Sequence, residues 1–150
     1  MEQKKALDTL KSLMQLDIDA VHAYTQAIER ITHRAVRERL TAFRGDHERH
    51  ITDLSACIRR LGGEPPERAR DFKGFIIEGF TALRSMTGTE GALKAMKGNE
   101  ETTNKHYAQA LTVGFSAEVR DVVARNFEDE KRHLAYVEDA LADRVWEQAA

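Results

Sequence analysis

The sequence predicts an all-α protein built as a four-helix bundle, and three observations carry that prediction. Apolar residues recur at alternating steps of three and four over long stretches, the period of a helix with one buried stripe. Proline occurs only 2 times in 150 residues, and the composition is rich in Ala, Leu, Glu, Lys and Arg, which favour helix over strand. Four such periodic stretches are separated by short segments of turn-forming residues.

The first stripe runs Leu7, Leu10, Met14, Asp17, Val21, Tyr24, Ile28 and Ile31. A turn near His33 and Arg34 leads to the second, which runs Val36, Leu40, Phe43, His47, His50, Leu54, Cys57 and Leu61 until Gly62 and Gly63 stop it. GGEPPERARD then reads as a loop, and DFKGFIIEGFTALRSM places Phe72, Ile76, Phe80 and Leu83 on one face before TGTEG breaks the pattern. Residues 62 to 88 are therefore expected to form a long crossover containing a short helix. The third stripe carries Leu93, Met96, Glu100, Thr103, Tyr107 and Ala110 and ends near Gly114. Ser116, a residue type favoured at helix N-caps, opens the fourth, with Val119, Val123, Asn126, Glu130, His133, Val137 and Ala140. An antiparallel neighbour needs only a short loop, so a crossover of this length predicts that helices two and three run parallel. A single domain over residues 1–150 is expected, because 150 residues suffice for one ordinary core.

Several function classes are disfavoured. The chain has 23 basic and 25 acidic residues, a net charge of −2 and no basic stripe, so nucleic acid is not an expected partner. No stretch approaches the ~20 apolar residues of a membrane span. The opening MEQKKALDTL lacks an apolar signal region, which predicts a cytoplasmic protein. The single cysteine, Cys57, cannot form an internal disulfide and reads as a small buried hydrophobe. The face of Phe72, Ile76, Phe80 and Leu83 reads as packing against the bundle, with a partner interface as the alternative, and the sequence leaves homo-oligomer formation open.

The chain also repeats itself. DHERH at 46 to 50 returns as DEKRH at 129 to 133, an offset of 83 that keeps the first, fourth and fifth letters and replaces His47 with Glu130. The same offset carries Asp17 onto Glu100, Tyr24 onto Tyr107, Gln26 onto Gln109, and Val36 with Arg37 onto Val119 with Arg120. The matches gather on the inward stripes, which predicts two related helical hairpins.

Those stripes carry Asp17, His47, His50, Glu100, Glu130 and His133 where apolar residues belong. Unpaired burial of such groups costs several kcal/mol each, so something must compensate them. Asp17 and His50 each lie about 16 residues from the first hairpin turn, and Glu100 and His133 stand likewise to the second. At a rise of ~1.5 Å per residue both levels fall near mid-helix, at the bundle centre. His47 with His50 and Glu130 with His133 are spaced i and i+3, so each pair faces one way. Three carboxylates and three imidazoles around one point suit iron, manganese or zinc. A metal-free network joining Asp17 to His50 and Glu100 to His133 accounts for the same spacing. His22, His33 and His106 lie off the stripes and read as surface or hydrogen-bonded residues, and Tyr24 and Tyr107 as core residues with satisfied hydroxyls.

At these residues the chain resembles the ferritin-like superfamily of rubrerythrins and bacterioferritins, from about Leu7 to Leu141. Its length and crossover resemble a bacterial family of ferritin-like bundles of unknown function. The resemblance implies a carboxylate on helices one and three, matched by Asp17 and Glu100, and E-x-x-H, matched by Glu130 and His133. It also implies that Tyr24 and Tyr107 support those carboxylates and that Asp46 and Asp129 orient ligand histidines. The chain departs from the superfamily at His47, where a metal-bridging glutamate is usual, and at Asp17, one methylene shorter than glutamate. The implied activity is ferroxidase- or peroxide-linked redox chemistry on two irons or on an asymmetric or mononuclear site. No rubredoxin-like cysteine cluster accompanies it, and nothing marks a cage-forming fifth helix, so a complete rubrerythrin-type peroxidase and an iron store are not expected. The alternative is a non-catalytic bundle acting in stress or partner binding, with a degenerate or zinc-stabilised site.

Overall fold

The computed structural model describes residues 2–67 and 87–150, which include four long helices: α1 Glu2–Arg30, α2 Arg34–Arg60, α3 Gly88–Ala110 and α4 Ala117–Ala142. A short 3-10 turn, Val145–Glu147, follows α4. The short helix expected around Phe72, Ile76, Phe80 and Leu83 lies outside the described residues.

Each turn is specified locally. His33 caps α2 from extended backbone, its Nδ1 accepting the Val36 N–H at 3.3 Å. Ser116 caps α4 in the same way through the Val119 N–H at 3.4 Å. At the end of α2 the N–H groups of Gly62 and Gly63 donate back to Arg59 and Ile58. Gly62 adopts φ +84, open chiefly to glycine, and a Cβ on Gly63 would fall 2.7 Å from Leu7 Cδ2.

Two contacts settle the helix directions. Gln3 Nε2 donates to the Leu61 carbonyl at 2.8 Å, so α2 ends beside the start of α1. Thr89 Oγ1 accepts the N–H groups of Thr32 and His33, so α3 starts at the opposite end, beside the α1–α2 turn. The segment between them therefore joins opposite ends of the bundle, and α2 and α3 run parallel, as the length of 62 to 88 predicted. The two hairpins, α1 with α2 and α3 with α4, pack so that α1 also faces α3 and α2 faces α4.

The buried interior is layered along the bundle axis. One apolar layer, near the α1–α2 turn, holds Ala27, Ile31, Val36, Leu40, Leu93, Met96 and Val137. The other, toward the α3–α4 turn, holds Leu10, Leu13, Leu54, Ile58, Val119 and Val123. Asp17, His47, His50, Glu100, Glu130 and His133 lie between them, all at 0% exposure. Among the described residues no helix is long and apolar enough to cross a membrane. Leu54→Ala should cost about 2–5 kcal/mol in urea unfolding, because Leu54 is wholly buried in the second layer. A loss below about 1 kcal/mol would show that this layer is loosely packed.

Candidate metal centre

The polar layer is assembled from all four helices. α1 contributes Asp17, α2 His47 and His50, α3 Glu100, and α4 Glu130 and His133. Two groups of donor atoms each gather within 4.8 Å: Asp17, His47, His50 and Glu130, and His47, Glu100, Glu130 and His133. These are the residues that could hold a metal ion.

Both expected pairings, Asp17 with His50 and Glu100 with His133, are present, and His47 joins each of them. Asp17 Oδ1 accepts from His47 Nδ1 at 2.7 Å and from His50 Nδ1 at 3.1 Å. Glu100 Oε1 lies 3.3 Å from His47 Nε2 and 3.5 Å from His133 Nδ1. His47 thus stands between both hairpins, with Tyr24, His133 and His50 rings around it at centroid distances of 5.3, 5.1 and 5.5 Å.

The surrounding bonds obey the internal repeat. Tyr24 on α1 donates to Glu100 on α3, and Tyr107 on α3 donates to Asp17 on α1 at 2.6 Å. His133 Nε2 donates to Asp46 at 2.8 Å and His50 Nε2 to Asp129 at 2.9 Å, so each aspartate serves the histidine of the opposite helix. Arg49 binds Asp129 and Arg132 binds Asp46, and each arginine also reaches the aspartate three residues before it. These four charges close the α2–α4 seam outside the imidazoles.

Symmetry breaks at His47 and Glu130. His47 can donate to Asp17, whereas Glu130 brings a second carboxylate toward Glu100. Thr103 answers that difference, its Oγ1 lying 3.1 Å from both Glu100 Oε2 and Glu130 Oε2, while the repeat places Ala20 at the corresponding position. Thr103 and Asn126, which donates to Tyr107 Oη at 3.3 Å, were visible only as polar interruptions of apolar stripes. Arg49 and Arg132 were the conserved fourth letter of the two pentapeptides. His33, off the stripes, is a buried helix cap.

Among the described residues five buried side-chain atoms have no hydrogen-bond partner: His33 Nε2, both amide atoms of Asn99, and two from the polar layer, Glu130 Oε1 and His133 Nδ1. The last two face the cluster: Glu130 Oε1 lies 3.3 Å from His50 Nδ1, and His133 Nδ1 lies 3.6 Å from Glu130 Oε2. Without an ion, the imidazoles supply the positive charge. Burial alone pushes His50 toward the neutral form, but the Asp17 and Glu130 carboxylates outweigh it and raise its pKa to about 10. His133 is likewise opposed by burial and raised to about 10 by Asp46, Glu100 and Glu130. Burial also raises Glu130, whereas the histidines hold Asp17 and Glu100 down against it.

A raised histidine pKa stabilises the fold fully below the unfolded value of 6.5, and that contribution is lost as pH climbs through about 10. The urea midpoint of chelator-treated protein should therefore fall between pH 6.5 and 10. A flat or rising midpoint over that window would contradict the charge assignment.

No curated protein matches the chain. The model of one family, described as Domain of unknown function (DUF2383), matches residues 5–113, the segment that carries Asp17, His47, His50 and Glu100. With well over half of its length matched, the chain belongs to that family.

Proposed function

We propose that the protein is a ferritin-like metal-binding protein whose ligands are Asp17, His47, His50, Glu100, Glu130 and His133, with iron as the leading occupant and manganese or zinc as alternatives. The observation that carries this reading is the pair of unpartnered, fully buried donors, Glu130 Oε1 and His133 Nδ1, facing the cluster. A protein interior seldom leaves such atoms unsatisfied, and a cation would satisfy both. Mixed carboxylate and imidazole donors suit a first-row divalent ion.

The remaining residues do what such a site requires. Asp46 and Asp129 hold the Nε2–H of His133 and His50, which leaves each Nδ1 directed inward with its lone pair available once deprotonated. Tyr24 and Tyr107 fix the carboxylates of Glu100 and Asp17. The two apolar layers keep water from the centre, which strengthens every electrostatic interaction there. A bound iron with an open position would supply redox chemistry toward dioxygen or peroxide.

One observation favours a second reading. His47 is bonded to carboxylates at both nitrogens, and the buried carboxylates raise the pKa of His47, His50 and His133, so three imidazolium rings would balance three carboxylates without any ion. A non-catalytic bundle in stress or partner binding, held by that network or by zinc, would use the same residues.

Elemental analysis of protein purified without a metal-affinity tag separates the two. The metal-centre reading expects about one or two transition-metal ions per chain. Glu130→Ala should lower both that ratio and the melting temperature by several degrees, because an ion that binds only the folded state stabilises it. Absence of metal from both proteins, with unchanged melting, would leave the hydrogen-bonded core as the function of these residues.

A further inference from the structure

The position that breaks the internal repeat touches both donor groups at once. His47 Nδ1 lies 2.7 Å from Asp17 Oδ1 and 3.4 Å from Glu130 Oε1, within the group that includes His50. His47 Nε2 lies 3.3 Å from Glu100 Oε1, within the group that includes His133. Glu130 is shared as well, with Oε1 toward His50 and Oε2 toward His133.

The two shared residues differ in capacity. A carboxylate has lone pairs on both oxygens and can serve two ions together. A neutral imidazole has one lone pair, because its other nitrogen carries the proton. We propose that His47 couples the two half-sites antagonistically, so that a divalent transition-metal ion bound in either one claims the ring's single lone pair and leaves an N–H aimed at the carboxylate of the other. This rests on the metal-centre reading above and adds how the two halves of that centre communicate.

The proton accounting is simple. Both nitrogens face carboxylate oxygens. An ion in the first half-site would take the Nδ1 lone pair of a neutral ring, which leaves the ring's one proton on Nε2, donated to Glu100. Binding in the second half-site reverses the two nitrogens. The ring is packed among Tyr24, His50 and His133, so the proton changes place and the ring does not. A second ion must therefore bind without His47. It also meets the charge of the first, since two divalent cations exceed the charge of three carboxylates.

Cobalt(II) titration of the full-length protein, followed by visible absorption, reads the coupling. The parent should take one ion tightly and a second at least about tenfold more weakly. His47→Glu replaces the ring with a carboxylate that can serve both ions, so the gap should close to less than about tenfold. Nitrogen-15 spectra of the histidine rings with one equivalent of zinc give an independent reading on the parent, should His47→Glu fail to fold. One metal-bound nitrogen and one N–H on His47 are expected, with the N–H retained at two equivalents. Two equally tight ions, a His47 protonated on both nitrogens in the zinc-loaded protein, or one protonated on neither, would each overturn the coupling while leaving a metal centre in place. Failure of both ions to bind would remove the metal-centre reading itself, and the coupling with it.

Discussion

Three carboxylates enclosed between two apolar layers must be matched by positive charge, and this requirement governs the centre of the bundle. Asp17, Glu100 and Glu130 are fully buried between two apolar layers, far from bulk counter-ions. An isolated buried carboxylate would take up a proton before it stayed ionised. Here the charge comes from three imidazoles held against the carboxylates, and the tyrosine hydroxyls and Thr103 add donors to the same carboxylates. Protons on the histidines and a cation among them are two solutions to one electrostatic problem. In the proton solution Glu130 Oε1 and His133 Nδ1 are left without a hydrogen-bond partner.

The twofold arrangement explains how a short chain builds so dense a site. One hairpin pattern used twice supplies a carboxylate, a tyrosine, an aspartate, an arginine and a histidine from each half, and the reciprocal bonds stitch the halves together. The Asp46, Asp129, Arg49 and Arg132 ring makes this visible at the seam. Removing one member would leave a partner charge uncompensated close to an imidazole, so these exposed pairs matter more for holding the rings than for stability as surface ion pairs. Within the polar layer the two halves differ in kind at His47 against Glu130 and at Ala20 against Thr103.

Much of this was legible in the sequence because periodicity reports burial. Polar residues at Asp17, His47, His50, Glu100, Glu130 and His133 interrupted stripes of apolar residues, and the hairpin turns set them at one level. Parallel α2 and α3 followed from the length of the connection. Stripe position fixes the face of a helix and says nothing of side-chain rotamers, so the partners were less legible. Asp17 was expected with His50 and bonds both His50 and His47. Asp46 and Asp129 precede one histidine in the chain and bond to another across the seam, a choice made by interhelical geometry. Thr103 interrupted its stripe without revealing a role, because a threonine on an apolar stripe usually satisfies its hydroxyl within its own helix.

If protons and a cation compete for the same centre, binding the cation must expel protons. Calorimetry of zinc binding at neutral pH, repeated in two buffers of different ionisation enthalpy, counts them. The account predicts release of more than about one proton per ion, drawn from His47, His50 and His133. Tight zinc binding with no proton release would contradict it, placing the ion outside the buried cluster or the imidazoles already in the neutral form.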